Sequence, residues 1–328
     1  MQHADLNGSP RQSDATTKLI ASSVVRGAEQ GQSHGGLCVV DFATQRIDYV
    51  IDWNTTDIDV AGRGGDRGLR GVAPVGNQVY VLSNKALLLF DRDFNLRRTF
   101  TNRYLKHCHE LSAYGGCAYI VSTGYDAIVA FDVALERFAI GYQLVLVDER
   151  LRLLAFDPES AGGPAECNSF HLNSVKCDAT GLYFSGLRTA GLLRMAENKL
   201  MRAAELPRGT HNAQPFGDGI IYNDTANDRL CVQRTGREMA IPLSIDSNAA
   251  LDWTHVNNDA VARPLFARGL CVLSERYVAG GSSPSTITMY DLETGSSVAQ
   301  LSLSKDVRNA IHGLAAWPAD SAFPRPET

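Results

Sequence analysis

The chain has no run approaching the roughly 18 apolar residues of a membrane-spanning helix, and no Cys-x-x-Cys pair, Gly-x-Ser-x-Gly elbow or Gly-Lys-Ser/Thr phosphate loop. Periodicity of the helical kind is nearly absent as well. These gaps exclude a helical membrane protein, a serine hydrolase of the elbow type and a nucleotide-binding P-loop. The Gly-rich stretch 60–68, VAGRGGDRG, lacks the dinucleotide spacing and reads as a surface loop. A net charge of −5 and a pI near 5.9 argue against sequence-independent binding to nucleic acid. The seven cysteines are odd in number, and Cys38, Cys117, Cys231 and Cys271 lie within apolar runs. They read as free, mostly buried thiols, which fits a reducing cytoplasm rather than a disulfide framework or a zinc-cysteine site. Residues 1–17 are polar, lack the apolar centre of a signal peptide and read as a disordered tail.

What the chain does contain is a repeat. Arg70, His109, His171, His211, Arg268 and His312 each open a short apolar run, and the first five lead on to Tyr80, Tyr119, Tyr183, Tyr222 and Tyr277. Each unit reads as short Val-, Ile-, Leu- and Tyr-rich strands punctuated by Gly, Asn and Asp. The third strand closes on Phe90-Asp91, Phe131-Asp132 and Tyr290-Asp291, where an Asp side chain suits the following turn. The shorter intervals between starts are near the 40 residues of a four-stranded propeller blade. Two longer intervals carry insertions, 141–170 and 245–266, on the side where a ligand would approach.

After His312 only HGLAAWP and a polar tail remain, so the last blade is incomplete. The N-terminal runs TKLIASSVVR, GGLCVVDF and QRIDYVIDW supply its missing strands, which removes exposed sheet edges. The expected fold is therefore all-β, a six-bladed β-propeller over 18–318, with a tail at 319–328. A seven-bladed ring, with a blade hidden in one insertion, is the alternative.

Six equivalent positions on the innermost strands converge on the axis. Four are histidines, and neutral imidazoles meeting at one point are ligands for iron, copper, zinc or nickel. His109, His171, His211 and His312 are the expected metal ligands, with His107 a spare one; the competing reading is a polar channel mouth bonded to water. Strand alternation turns Glu110 away from the axis to hold an imidazole from behind and turns Asn173 toward it to orient substrate. Asn212 is the other supporting residue. Arg70 and Arg268 form a clamp for a carboxylate or other anion, or else pair with turn aspartates. Gly71, Gly269 and Gly313 leave room for a ligand or reflect tight packing at the axis.

The phrases FHLNSV, GTHNAQPFGDGIIYNDT, FARGL and RNAIHGLAAWP resemble a family of bacterial proteins of unknown function with propeller-like repeats. That resemblance spans most of 70–317 and implies no activity. In site geometry alone the histidine ring is similar to the carotenoid cleavage oxygenases, seven-bladed propellers holding one iron by four histidines. The implied function is a mononuclear metal enzyme, a non-haem Fe(II) oxygenase or related oxidoreductase acting on a small anionic organic substrate. The alternatives are a zinc-dependent hydrolase or lyase, with copper also open as the metal, and a non-enzymatic propeller binding a peptide or anion.

Overall fold

Consecutive residues of the middle strands are buried on both faces, so neither face of a sheet meets water. In blade 1, Tyr80, Leu82, Leu87 and Leu89 enter one apolar cluster while Val79, Val81, Leu88 and Phe90 enter another. Period-2 alternation with both sides apolar requires a neighbour on each side, and here the neighbours are other sheets. The computed structural model describes residues 18–61, 65–245, 250–254 and 263–317, and within them the chain forms six antiparallel sheets. Six apolar clusters lie between successive sheets, closing the circle from blades 1 and 2 round to blades 6 and 1. This is the expected six-bladed propeller. Both tails, His3, His255 and parts of 60–68 and 245–266 lie outside the described residues.

The innermost strands are Val72–Val75, Cys108–Tyr114, Leu172–Asp178, Thr210–Phe216, Leu270–Val272 and Asn309–Ala316 in blades 1 to 6. Blade 6 is completed from the N-terminus as expected: Lys18–Val25 pairs with Asn309–Ala316, followed outward by Gly35–Asp41 and Arg46–Asp52. The insertion 141–170 has a structure of its own. It lengthens the fourth strand of blade 2 to Arg137–Val147 and adds a fifth, Arg150–Phe156. The strand-ending aspartates do serve turns, since Ala43 N donates to Asp41, Asp93 N to Asp91, Leu135 N to Asp132 and Glu293 N to Asp291.

Close approach of inner strands settles the role of two glycines. A Cβ on Gly71 would lie 2.6 Å from the amide nitrogen of Leu111 on the next blade, and one on Gly313 would lie 2.6 Å from the carbonyl oxygen of Arg70. Both are packing positions. Gly71→Ala is expected to cost about 2–3 kcal/mol through overpacking against backbone that cannot retreat. A urea midpoint equal to that of the unsubstituted protein would show that the inner strands part without penalty.

Candidate functional site at the propeller axis

Four of the six innermost strands carry a β-bulge at the site. The register slips by one residue between Cys108 and Leu111, Leu172 and Ser174, His211 and Gln214, and across His312, which has no partner between Ile311 and Gly313. A bulge re-aims side chains that strict alternation would send elsewhere. His171 and Asn212 also adopt left-handed backbone, at φ 53° each. The alternation argument therefore fails for Glu110. Glu110 turns into the channel and accepts from Asn212 Nδ2 across the axis, not from an imidazole. Asn173 is buried and spends its amide nitrogen on the carbonyl of Thr210, 3.0 Å away, bracing blade 3 to blade 4. Asn212 is a further brace, its oxygen accepting from Gly269 N at 2.9 Å and Asn223 Nδ2 at 3.2 Å.

The histidine tautomers follow from partners that can only donate or only accept. His109 Nδ1 lies 2.8 Å from the carbonyl of His107 and 2.8 Å from Thr123 Oγ1, whose own proton goes to the carbonyl of Leu172. Nδ1 is therefore the N–H, and Nε2 is bare. His211 repeats the device: Nδ1 lies 2.9 Å from Thr225 Oγ1, which donates to the carbonyl of Ala267. His171 Nδ1 donates to Asn168 Oδ1 at 3.0 Å, an oxygen that also accepts from Arg188. His312 is the exception. Arg268 Nη1 donates to its Nε2 at 3.0 Å, which places the proton on a buried, partnerless Nδ1.

The His109 ring stands 5.3 Å from that of His171 and 5.4 Å from that of His312, centroid to centroid. His211 packs against Phe266 at 5.4 Å, and its Nε2 is fully enclosed. A cavity of about 600 Å³ opens above these rings, lined among others by His109, His171, His312, Arg70, Arg268 and Phe266. Asn168 and Phe266, from the two insertions, help to form its wall, so both insertions reach this cavity. Exposed His107 lines it too and contacts Asn84 Oδ1 at 3.2 Å. His34 is structural, with Nδ1 accepting from Gly68 N.

Electrostatics favour negative charge in this cavity. Among the described residues, four guanidinium groups (Arg26, Arg67, Arg70, Arg268) line it against two carboxylates, Asp59 and Asp66, of which Asp66 already pairs with Lys85 at 2.7 Å. Arg70 is held by the carbonyls of Cys108 and Gly65, not by a turn aspartate. Arg268 lies over the Phe266 ring at 5.0 Å. Burial first, and the Arg268 charge second, hold His109, His211 and His312 well below the ordinary histidine value and bring His171 down to about 4. All four are neutral bases at pH 7. Burial pushes Glu110 up to about 8, against the opposing hydrogen bond from Asn212.

The same arrangement bears on a metal. Among the described residues, no three His, Cys, Asp or Glu side chains are grouped to hold one ion. Arg268 occupies the lone pair of His312 and adds a positive charge felt by all four imidazoles, which opposes a divalent cation.

Three residues that hold the site were not evident from the sequence. Thr123 and Thr225 each follow their histidine by 14 positions, a matched spacing that is present in the sequence. Asp126, fully buried, accepts from Phe170 N at 2.8 Å and Leu172 N at 3.2 Å, clamping the strained turn at His171 from both sides. Nothing local to Asp126 distinguishes it from a turn residue.

No family profile and no curated protein matches the chain. Its structure is similar to those of virginiamycin B lyase from Staphylococcus aureus (9% identity, 79% of this chain and 77% of that one, TM-score 0.45) and apo AztD from Citrobacter koseri (12%, 91% and 97%, 0.45). It is also similar to a chain of a nidogen/laminin complex (11%, 91% and 97%, 0.54). At these identities the likeness is one of fold alone, and the last of the three carries it.

Proposed function

We propose that the axial cavity binds a small organic anion and that His109 and His171 act on it as neutral bases. The observation that carries this reading is the guanidinium of Arg268 set beside the uncharged imidazoles of His109, His171 and His312 at one cavity. A cation held in a partly desolvated site attracts an anion far more strongly than it would in water. Arg70 adds to the field from the neighbouring wall. The bare Nε2 atoms of His109 and His171 have tied, oriented partners behind them, as a general base requires. Their low pKa keeps them in the accepting form at neutral pH.

A second reading, a mononuclear centre of the non-haem iron type, is favoured by one feature: His109, His171 and His211 all present an unprotonated Nε2 with Nδ1 hydrogen-bonded behind. Such a centre would supply Lewis-acid or redox chemistry to the same anion. Calorimetric titration with mono- and dicarboxylates of two to six carbons, beside elemental analysis of untagged protein, separates the readings. Salt-sensitive carboxylate binding by metal-free protein is the expected result. No heat from any carboxylate would sink the anion site. Stoichiometric iron, copper or zinc that is lost in His109→Ala/His171→Ala would transfer the conclusion to the metal centre.

A further inference from the structure

We infer that the anion carries hydroxyl groups close to its carboxylate: the axial cavity takes a hydroxy acid of sugar-acid size. This rests on the anion-binding reading above and adds the chemistry of the rest of the molecule. The cavity has two kinds of wall. One presents guanidinium groups, which only donate and which demand an acceptor bearing negative charge. The other presents the Nε2 atoms of His109 and His171, which only accept, because each Nδ1 holds the proton against an oxygen. A plain carboxylate or an alkyl chain that displaced water from those two nitrogens would leave lone pairs facing lone pairs or hydrocarbon. Leaving a polar group unmade in such a place is more costly than the bond itself is favourable.

The group that answers Nε2 must therefore be a donor. An ammonium would serve the imidazoles, but it would stand in the field of Arg26, Arg67, Arg70 and Arg268, which disfavours a cation. A hydroxyl donates without charge. The two demands lie close together, since Arg268 Nη1 is 3.0 Å from His312 Nε2 and the His312 ring is 5.4 Å from that of His109, next to His171. Donor and carboxylate are thus separated by only a few bonds. The volume, about 600 Å³, admits a chain longer than two or three carbons.

Three matched probes test this by calorimetry at pH 7.5 on the full chain. Gluconate has a carboxylate and hydroxyls, hexanoate has the same carbon count with the carboxylate alone, and glucitol has hydroxyls alone. Gluconate is expected to bind at least about tenfold more tightly than hexanoate, and glucitol not measurably. In His171→Leu, with folding checked by circular dichroism, the ratio of gluconate to hexanoate affinity falls toward one. Equal binding of gluconate and hexanoate by the unsubstituted protein would overturn the hydroxy-acid inference and leave the anion site standing. Binding of glucitol as tight as gluconate, or no binding of any probe, would overturn both.

Discussion

Arg268→Met weakens carboxylate binding by about a hundredfold or more, the loss expected when one partner of a desolvated charge pair is truncated. The same substitution raises the titration of all four axial histidines, because the Arg268 charge lowers each of them. His171 is the most readable. It is partly exposed, stands at about 4 and moves upward toward the ordinary 6.5 when the cation is removed. Calorimetry gives the affinity, and proton NMR of the imidazole C2–H signals gives the titration. Arg268→Lys restores charge without the planar fork that meets His312 Nε2, and falls between the two. An unchanged affinity in Arg268→Met would place the anion elsewhere, whatever the histidines did.

Stability is expected to fall steeply on mild acidification. In the unfolded chain each histidine protonates near 6.5, whereas in the folded protein His109, His211 and His312 resist protonation far below that and His171 resists it to about 4. Between these values the unfolded state binds more protons, so stability is full above about pH 7 and is lost as pH drops from 6.5 toward 4. Each such group contributes up to about 1.4 kcal/mol per pH unit, His171 somewhat less because solvent reaches it. Glu110 runs the other way. Its folded value is raised from 4.5 to about 8, so it favours the folded state as pH falls through that range. For the axial group alone, one opposing carboxyl against four histidines leaves a net loss of up to about 3–4 kcal/mol per pH unit at the steepest point, and His34 and His107, whose values are also lowered by burial, act in the same direction. Urea midpoints at pH 7.5, 6.0 and 5.0 measure it, and His312→Leu flattens the curve by one proton. A midpoint that stays level from pH 7.5 to 5.0 would mean that the imidazoles take up protons alike in the folded and unfolded states.

Much of the fold was legible because its signals are local and repeat. A strand whose neighbours on both faces are other sheets has apolar residues at nearly every position, as in Gln78–Leu82 and Ala86–Asp91. That pattern recurs with turn aspartates at fixed places, so the blade count and the closure by Lys18–Val25 follow from the chain itself. The convergence of these residues on one candidate site was legible for the same reason. Residues at one place in each repeat must meet at the axis, and His109, His171, His312, Arg70 and Arg268 all line one cavity there.

The chemistry at that place was not. Strand alternation misplaced Glu110 because four inner strands bulge at the site, and a bulge moves the side chains beyond it one place out of the alternation. Counting histidines pointed to a metal, since sequence reveals which ligands reach the axis but not what stands between them. It was the tertiary structure that brought Arg268, from the blade preceding His312, onto that histidine's lone pair and turned the surrounding imidazoles into neutral acceptors. A closed ring of six sheets with histidines and arginines at its centre could be read from the chain alone, because repetition and alternation act over a few residues. Which nitrogen of each imidazole is bare, and which sign of charge the cavity favours, came from the folded chain, because the first depends on what each Nδ1 touches in space and the second on guanidinium groups gathered from separate blades.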